Sequence, residues 1–166
     1  VHAPTVFSSS LVVLLALSFW VQPNLTKAHK WHSFGLLLAL FLSMDIRTLD
    51  TIWHMFQTPA GFPYRNAFFF SFVLIMIAFE AWLAGPRRIA LRWQWLLPTL
   101  MVSALILGWF AQRTAKHPLT TSTLALSLVA VILTAIALFA TAKRWQTLSL
   151  AGIVALELGT NSTLMM

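Results

Sequence analysis

Six long apolar runs, separated by short polar breaks, set the pattern of this chain. They read LVVLLALSFWV, FGLLLALFLSM, FFFSFVLIMIAF, LLPTLMVSALILGWF, LALSLVAVILTAIALFA and LSLAGIVALELG. Widened to the ~20 residues that a helix needs to cross a bilayer, they predict spanning segments at about 5–22, 31–49, 66–84, 92–112, 119–141 and 147–166. The second is the weakest, because its purely apolar heart runs only from Phe34 to Met44. The breaks are QPNLTKAHK, the long DIRTLDTIWHMFQTPAGFPYR, AGPRR, AQRTAKHP and TAKRWQ. Proline, glycine and charge gather in them, as expected of residues that end helices. Nowhere does the chain alternate apolar and polar residues as a membrane barrel requires. The predicted fold is therefore all-α: a polytopic transmembrane helix bundle of about six spanning helices, with a long outer loop between the second and third. Residues 1–166 form one transmembrane region.

Composition turns this pattern into a statement about solvent. Hydrophobic residues make up 59% of the chain and charged residues 9%, against about a quarter charged in a soluble domain. Too few polar groups exist to cover a water-facing surface, so the solvent is lipid. All eight tryptophans (Trp20, Trp31, Trp53, Trp82, Trp93, Trp95, Trp109 and Trp145) fall near a predicted helix end, where indole meets the headgroup layer. No cysteine is present, which excludes a disulfide framework or a thiolate metal site. No internal repeat stands out. The chain starts on Val1 without a basic region, so the first apolar run does not read as a signal peptide. Its last run stops while still apolar, and the chain reads as an internal fragment of a larger membrane protein.

Charge assigns an orientation. The first, third and fifth breaks hold Lys27, Lys30, Arg87, Arg88, Arg92, Lys143 and Arg144, whereas the second and fourth hold Arg47, Arg65, Arg113 and Lys116. The richer set belongs in the cytoplasm, which places the 45–65 loop outside. The net charge of +7 is thus mostly a membrane signature. The basic residues are scattered between spans rather than gathered on one face, so nucleic acid is not an expected partner.

Four acidic residues exist: Asp45, Asp50, Glu80 and Glu157. Arg47, Asp50 and His54 share a face if the second helix continues beyond the bilayer. They read either as a polar site at the outer surface or as an ordinary solvated helix end. In GFPYRN, Pro63 holds Phe62 extended, Asn66 is placed to cap the next helix, and Arg65 stands at that helix's start. A cation there opposes the helix dipole, yet it suits an anion site, because free N–H groups and a guanidinium both attract phosphate. The plainer reading is an arginine reaching for lipid headgroups. Phe68, Phe69, Phe70 and Phe72 read as lipid contact, or as a wall along which a polyprenyl tail lies. Glu80 is expected to reach the cytoplasmic surface or to pair with Arg87 or Arg88. Glu157 lies near the middle of the last segment with Asn161 one turn on. It reads either as an intramembrane functional carboxylate or as a hydrogen-bonding tie between helices. His29 and His32 make a weak metal pair, His117 sits in a basic loop, and no metal site is expected.

At IWHMFQTPAGFPYRNAFFFSF (52–72) the sequence resembles the YfhO family of bacterial multispanning membrane proteins. The resemblance rests on Trp53, His54, Phe62, Pro63, Tyr64, Arg65, Phe68 and Ser71, and again on Glu157, Leu158, Gly159 and Asn161 in LELGTNSTL. Asn66 stands where the family commonly has tyrosine. The resemblance implies a GT-C-type glycosyltransferase in the bacterial cytoplasmic membrane. Such an enzyme takes a sugar from a polyprenyl-phosphate carrier and adds it to a cell-wall polymer, such as lipoteichoic acid, on the outer face. Arg65, Tyr64, His54, Asp50 and Asn66 would then line the substrate site, and the catalytic base would lie upstream of Val1. The resemblance implies no cofactor in this stretch and leaves a divalent cation to the full-length enzyme. Two other classes stay open: a transporter or flippase with Glu157 and Asn161 as its midplane site, and a non-catalytic membrane scaffold.

Overall fold

The computed structural model describes residues 9–45, 66–111 and 121–164. Six α-helices cover them: α1 (Ser10–Val21), α2 (Lys27–Asp45), α3 (Asn66–Ala84), α4 (Leu91–Ala111), α5 (Thr121–Ala135, extended by a π-helical turn Ile136–Ala140) and α6 (Lys143–Leu164). No strand occurs among the described residues. Each helix falls on one of the six apolar runs, so the chain is an all-α membrane helix bundle. Among the described residues, three stretches are long and apolar enough to cross a bilayer: Ala67–Ala84 in α3, Leu91–Ala111 in α4 and Thr121–Ala140 in α5. The other three helices fall short for visible reasons. α1 is only 12 residues long. α2 takes Lys27, His29, Lys30 and His32 into its first turns, and α6 takes Lys143, Arg144 and later Glu157.

The boundaries follow from capping. Thr26 starts α2 four residues ahead of the expected 31, because its Oγ1 accepts from the His29 amide at 3.3 Å and its carbonyl accepts from Lys30 at 3.2 Å. At the other end of its run, α3 stops on Gly85, whose φ of +90° only glycine adopts without strain. The Gly85 amide closes on the Trp82 carbonyl, and Pro86–Arg88 forms a short 3-10 turn beyond it.

The shortest helix is the centre of the bundle. α1 is apolar on every side, which suits burial from all directions. Leu14 and Phe19 are fully buried, and they join Ala81 of α3, Leu97 of α4, Leu138 of the π turn and Leu150 of α6 in one core. α1 packs most extensively against α3 and also touches α4, α5 and α6, whereas α2 packs chiefly against α3. The outer faces of the long helices are apolar and uncovered: Phe68 is 72% exposed, Leu107 67% and Trp95 74%. A water-soluble monomer does not leave that much contiguous apolar surface open; lipid is the solvent that fits it. Thr99, Ser103 and Ser127 bond back to the carbonyls of Trp95, Thr99 and Thr123 on their own helices, so these hydroxyls carry no unmet polarity into lipid.

Alternation of the helices brings the turns at 22–26, 85–90 and 141–142 to one end of the bundle. This basic end is cross-linked by side chains that donate to backbone carbonyls. Gln22 Nε2 donates to the carbonyls of Ala81 and Gly85 at 3.4 and 3.2 Å. Arg87 Nε and Gln146 Nε2 both donate to the Leu138 carbonyl, at 3.3 and 2.8 Å. Leu138 can accept both because it lies in the π turn at the end of its helix, where carbonyls have no further turn to bond.

Candidate functional site

Two regions of the bundle hold features that could serve function: an apolar groove beside the start of α3, and a polar cluster at the start of α1.

The groove lies between α1, α2 and α3. Its volume is about 460 Å³, and Val13, Ala16, Leu17, Trp20, Phe34, Leu37, Leu38, Phe41, Phe70 and Leu74 line it. None of these side chains is charged or amidic, so the groove suits a hydrocarbon chain and offers nothing to a polar solute. Among the phenylalanines at the start of α3, Phe70 faces the groove, whereas Phe68, Phe69 and Phe72 are exposed on the outer surface. α3 itself begins at Asn66. Arg65, Tyr64, His54 and Asp50 precede it in the chain and lie outside the described residues.

At the start of α1, Ser9 Oγ accepts from the Val12 amide at 3.4 Å. The Ser10 amide donates to both carboxylate oxygens of Glu157 on α6, at 3.3 and 3.2 Å. Ser10 Oγ and Thr134 Oγ1 of α5 are 2.8 Å apart, and Thr134 is fully buried. Glu157 therefore supplies a helix cap from another helix, 147 residues away in sequence. The logic is that of any helix start: the first amides have no partner within the helix and need an acceptor. In lipid no water can provide one. A carboxylate adds a favourable interaction with the positive end of the helix dipole. α1 rises about 18 Å from this cap to its other end, and Glu157 stands roughly 21 Å along α6 from Lys143. Both routes place the cluster at one depth. Asn161 follows Glu157 by one turn in α6.

The basic end departs from expectation at Glu80. Its carboxylate meets His29 Nε2 of α2 at 2.5 Å rather than Arg87 or Arg88. Arg87 is drawn inward to the Leu138 carbonyl instead. The pair is substantially exposed, with side chains 44% and 37% accessible, so its effect on stability is small. The His29 ring also packs edge-on against Phe19, with ring centroids 5.6 Å apart. Among the described residues no group of three His, Cys, Asp or Glu side chains could hold a metal ion.

The sequence reading missed Ser10, Thr134, Gln22 and Gln146. Their signal is a polar side chain inside or just beside an apolar run. That signal names the residue but not its partner, because every one of these contacts is between different helices or across a turn.

Comparison with known proteins identifies a family. No curated protein and no solved structure matches the chain. The sequence model of the family described as "Bacterial membrane protein YfhO" matches residues 1–166, its full length. The chain therefore belongs to the YfhO family of bacterial membrane proteins.

Proposed function

We propose that this chain forms part of a membrane glycosyltransferase of the GT-C type. It would move a sugar from a polyprenyl-phosphate carrier to a cell-wall or lipoteichoic-type polymer on the outer face of the bacterial membrane. The observation that carries the reading is the apolar groove that includes Phe70, four residues into the helix that follows GFPYR. A polyprenyl carrier has two parts, a hydrocarbon tail and a phosphate, and they need opposite surroundings. The groove offers a wholly apolar bed for the tail. Arg65, next to the first residue of α3, offers a guanidinium whose planar fork suits a phosphate's oxygens. In this reading Tyr64, Asn66, His54 and Asp50 shape the pocket. The greater charge on the side that holds Lys27, Lys30, Arg87, Arg88, Arg92, Lys143 and Arg144 supports an outward-facing 45–65 loop.

In the transfer, a base takes the proton of the acceptor hydroxyl and that oxygen forms a bond to the sugar C1. The bond from C1 to the carrier phosphate breaks, and the phosphate leaves with its electrons. Arg65 stabilises the charge that develops on the leaving group. The rival transporter reading gains no support from Glu157, since both its carboxylate oxygens accept from the Ser10 amide.

The test uses the protein as its natural gene encodes it. Arg65→Lys should lose much of the sugar transfer and Arg65→Ala nearly all. Losing one charge-assisted contact in a water-poor site costs about 2–4 kcal/mol, or roughly 30- to 1000-fold in rate. Lysine keeps the charge but not the fork. The readout is sugar incorporated into wall polymer per unit of membrane-inserted protein. Full activity of both variants would remove Arg65 from the mechanism, because an arginine that only reaches headgroups is replaceable by lysine.

A further inference from the structure

A short repeat is hidden at the basic end. Ala90-Leu-Arg-Trp-Gln94 opens α4 and Ala142-Lys-Arg-Trp-Gln146 opens α6. The two copies sit in the same register: arginine, tryptophan and glutamine are the second, third and fourth residues of each helix. Their backbones match as well. The Trp93 and Gln94 amides both reach the Ala90 carbonyl, and the Trp145 and Gln146 amides both reach that of Ala142. In each copy the glutamine turns back to carbonyls that precede its helix. Gln94 Nε2 donates to Arg87 and Ile89 at 3.3 and 3.1 Å, and Gln146 Nε2 donates to Leu138 at 2.8 Å.

These bonds join the copies. Gln94 holds the Arg87 carbonyl, Arg87 Nε holds the Leu138 carbonyl, and Gln146 holds that same carbonyl. The two helix starts are thereby fixed relative to each other, and what they present outward is fixed with them. Each presents an arginine over the next residue's indole, Arg92 at 5.8 Å from the Trp93 ring centre and Arg144 at 5.9 Å from that of Trp145. Both arginines are exposed and Trp145 is 54% exposed, whereas Trp93 is half-buried with one side packed against the core. Among the described residues neither guanidinium meets a carboxylate. The nearby cations Lys27, Arg88 and Lys143 are exposed too. The one acid described at this end, Glu80, is taken by His29. An arginine in a first turn works against the helix dipole, so helix stability does not explain why it occurs twice in one register.

We propose that the paired Arg-Trp elements form a docking surface for anionic phospholipid headgroups of the leaflet that the basic end faces. The indole is the side chain suited to the headgroup layer, and the guanidinium beside it binds the lipid phosphate through two parallel N–H bonds. The surrounding cations make the patch complementary to an acidic leaflet. This site is separate from the groove and does not depend on the glycosyltransferase reading.

The experiment titrates the purified natural protein, in detergent micelles, with phosphatidylglycerol, with phosphatidylcholine and with inorganic phosphate, and counts bound lipid by native mass spectrometry. The protein should retain phosphatidylglycerol in preference to phosphatidylcholine, and inorganic phosphate should not displace it. Arg92→Gln and Arg144→Gln should each weaken retention about fivefold, and together roughly 25-fold. Lys27→Gln with Arg88→Gln removes the same charge outside the repeat and should weaken it much less. Equal loss from the two pairs would reduce the effect to general basic charge and overturn the proposal. So would unchanged retention in both single variants, or displacement of the lipid by inorganic phosphate at equal concentration. Should the double variant fail to fold, the two single variants decide.

Discussion

The basic end and the start of α1 face the same demand, partners for helix termini away from water, and meet it with opposite chemistry. At the basic end the unmet groups are carbonyls at or just past the ends of α3 and α5. Donors satisfy them: the neutral amides of Gln22 and Gln146, and the guanidinium of Arg87. At the start of α1 the unmet groups are amides, and acceptors satisfy them: the Ser9 hydroxyl and the Glu157 carboxylate. The polarity of the helix end dictates the kind of side chain. The helix dipole favours a negative charge at the amide end. This accounts for a carboxylate in an apolar segment without invoking transport, and it makes the two regions separable by mutation.

The largest effect is expected from removing the cap altogether. Glu157→Ala leaves the Ser10 amide without its acceptor. An orphaned buried donor costs about 1–3 kcal/mol, and loss of the charge–dipole interaction adds up to about 2 kcal/mol in a partly buried site. Thermal unfolding of the detergent-solubilised protein should shift down accordingly, and α1 amides should exchange hydrogen faster than those of α3. A variant as stable as the parent would mean that the cap is not what holds the start of α1.

The amide side of the comparison should be milder. Gln146→Leu removes one donor to the Leu138 carbonyl but leaves Arg87, so the cost should be about 1 kcal/mol. Gln22→Leu should cost less than that, although it removes bonds to two carbonyls. Both bonds are long, and the same substitution abolishes Gln22 Oε1, a buried acceptor that has no partner among the described residues. The two variants, compared in one unfolding series, test this order. A larger loss at Gln22 than at Gln146 would show that the tie between the 22–26 turn and α3 dominates the basic end.

How much of this was legible in the sequence depends on the distance over which each feature is decided. The six helices were legible, because runs such as LALSLVAVILTAIALFA leave the backbone in lipid no alternative to a helix. Helix starts were less so. α6 begins four residues before the expected 147, because Lys143 and Arg144 belong to its first turn rather than to the break. Partners were not legible. Nearness in sequence suggested Arg87 or Arg88 for Glu80, but the packing of α2 on α3 brings His29 to it while Leu138 draws Arg87 away. Glu157 stood out by its depth, yet nothing local pointed to Ser10 at the other end of the chain. The motif residues of the 45–65 loop carried the family resemblance, and the full-length match agrees with it. They lie outside the described residues. The Ala-x-Arg-Trp-Gln repeat escaped notice because five residues are too few to stand out until two helix starts are seen to share one register.

The smallest expected effect is the most discriminating. Glu157→Gln keeps one acceptor oxygen for the Ser10 amide and removes the charge together with the second of the two carboxylate acceptors. As a cap, the amide should serve nearly as well, with a loss of about 0.3–1 kcal/mol from the missing charge–dipole interaction. The protein should insert, fold and turn over as its parent does. If Glu157 instead carried a proton or an ion, the same substitution would abolish turnover while stability stayed nearly unchanged, because an amide cannot titrate. The measurement therefore needs both readouts on one preparation: the unfolding midpoint, and the activity per inserted protein. A small shift in the first with no change in the second identifies a cap. Loss of the second alone would move the chemistry from the loop before α3 to the middle of α6, and favour transport over sugar transfer.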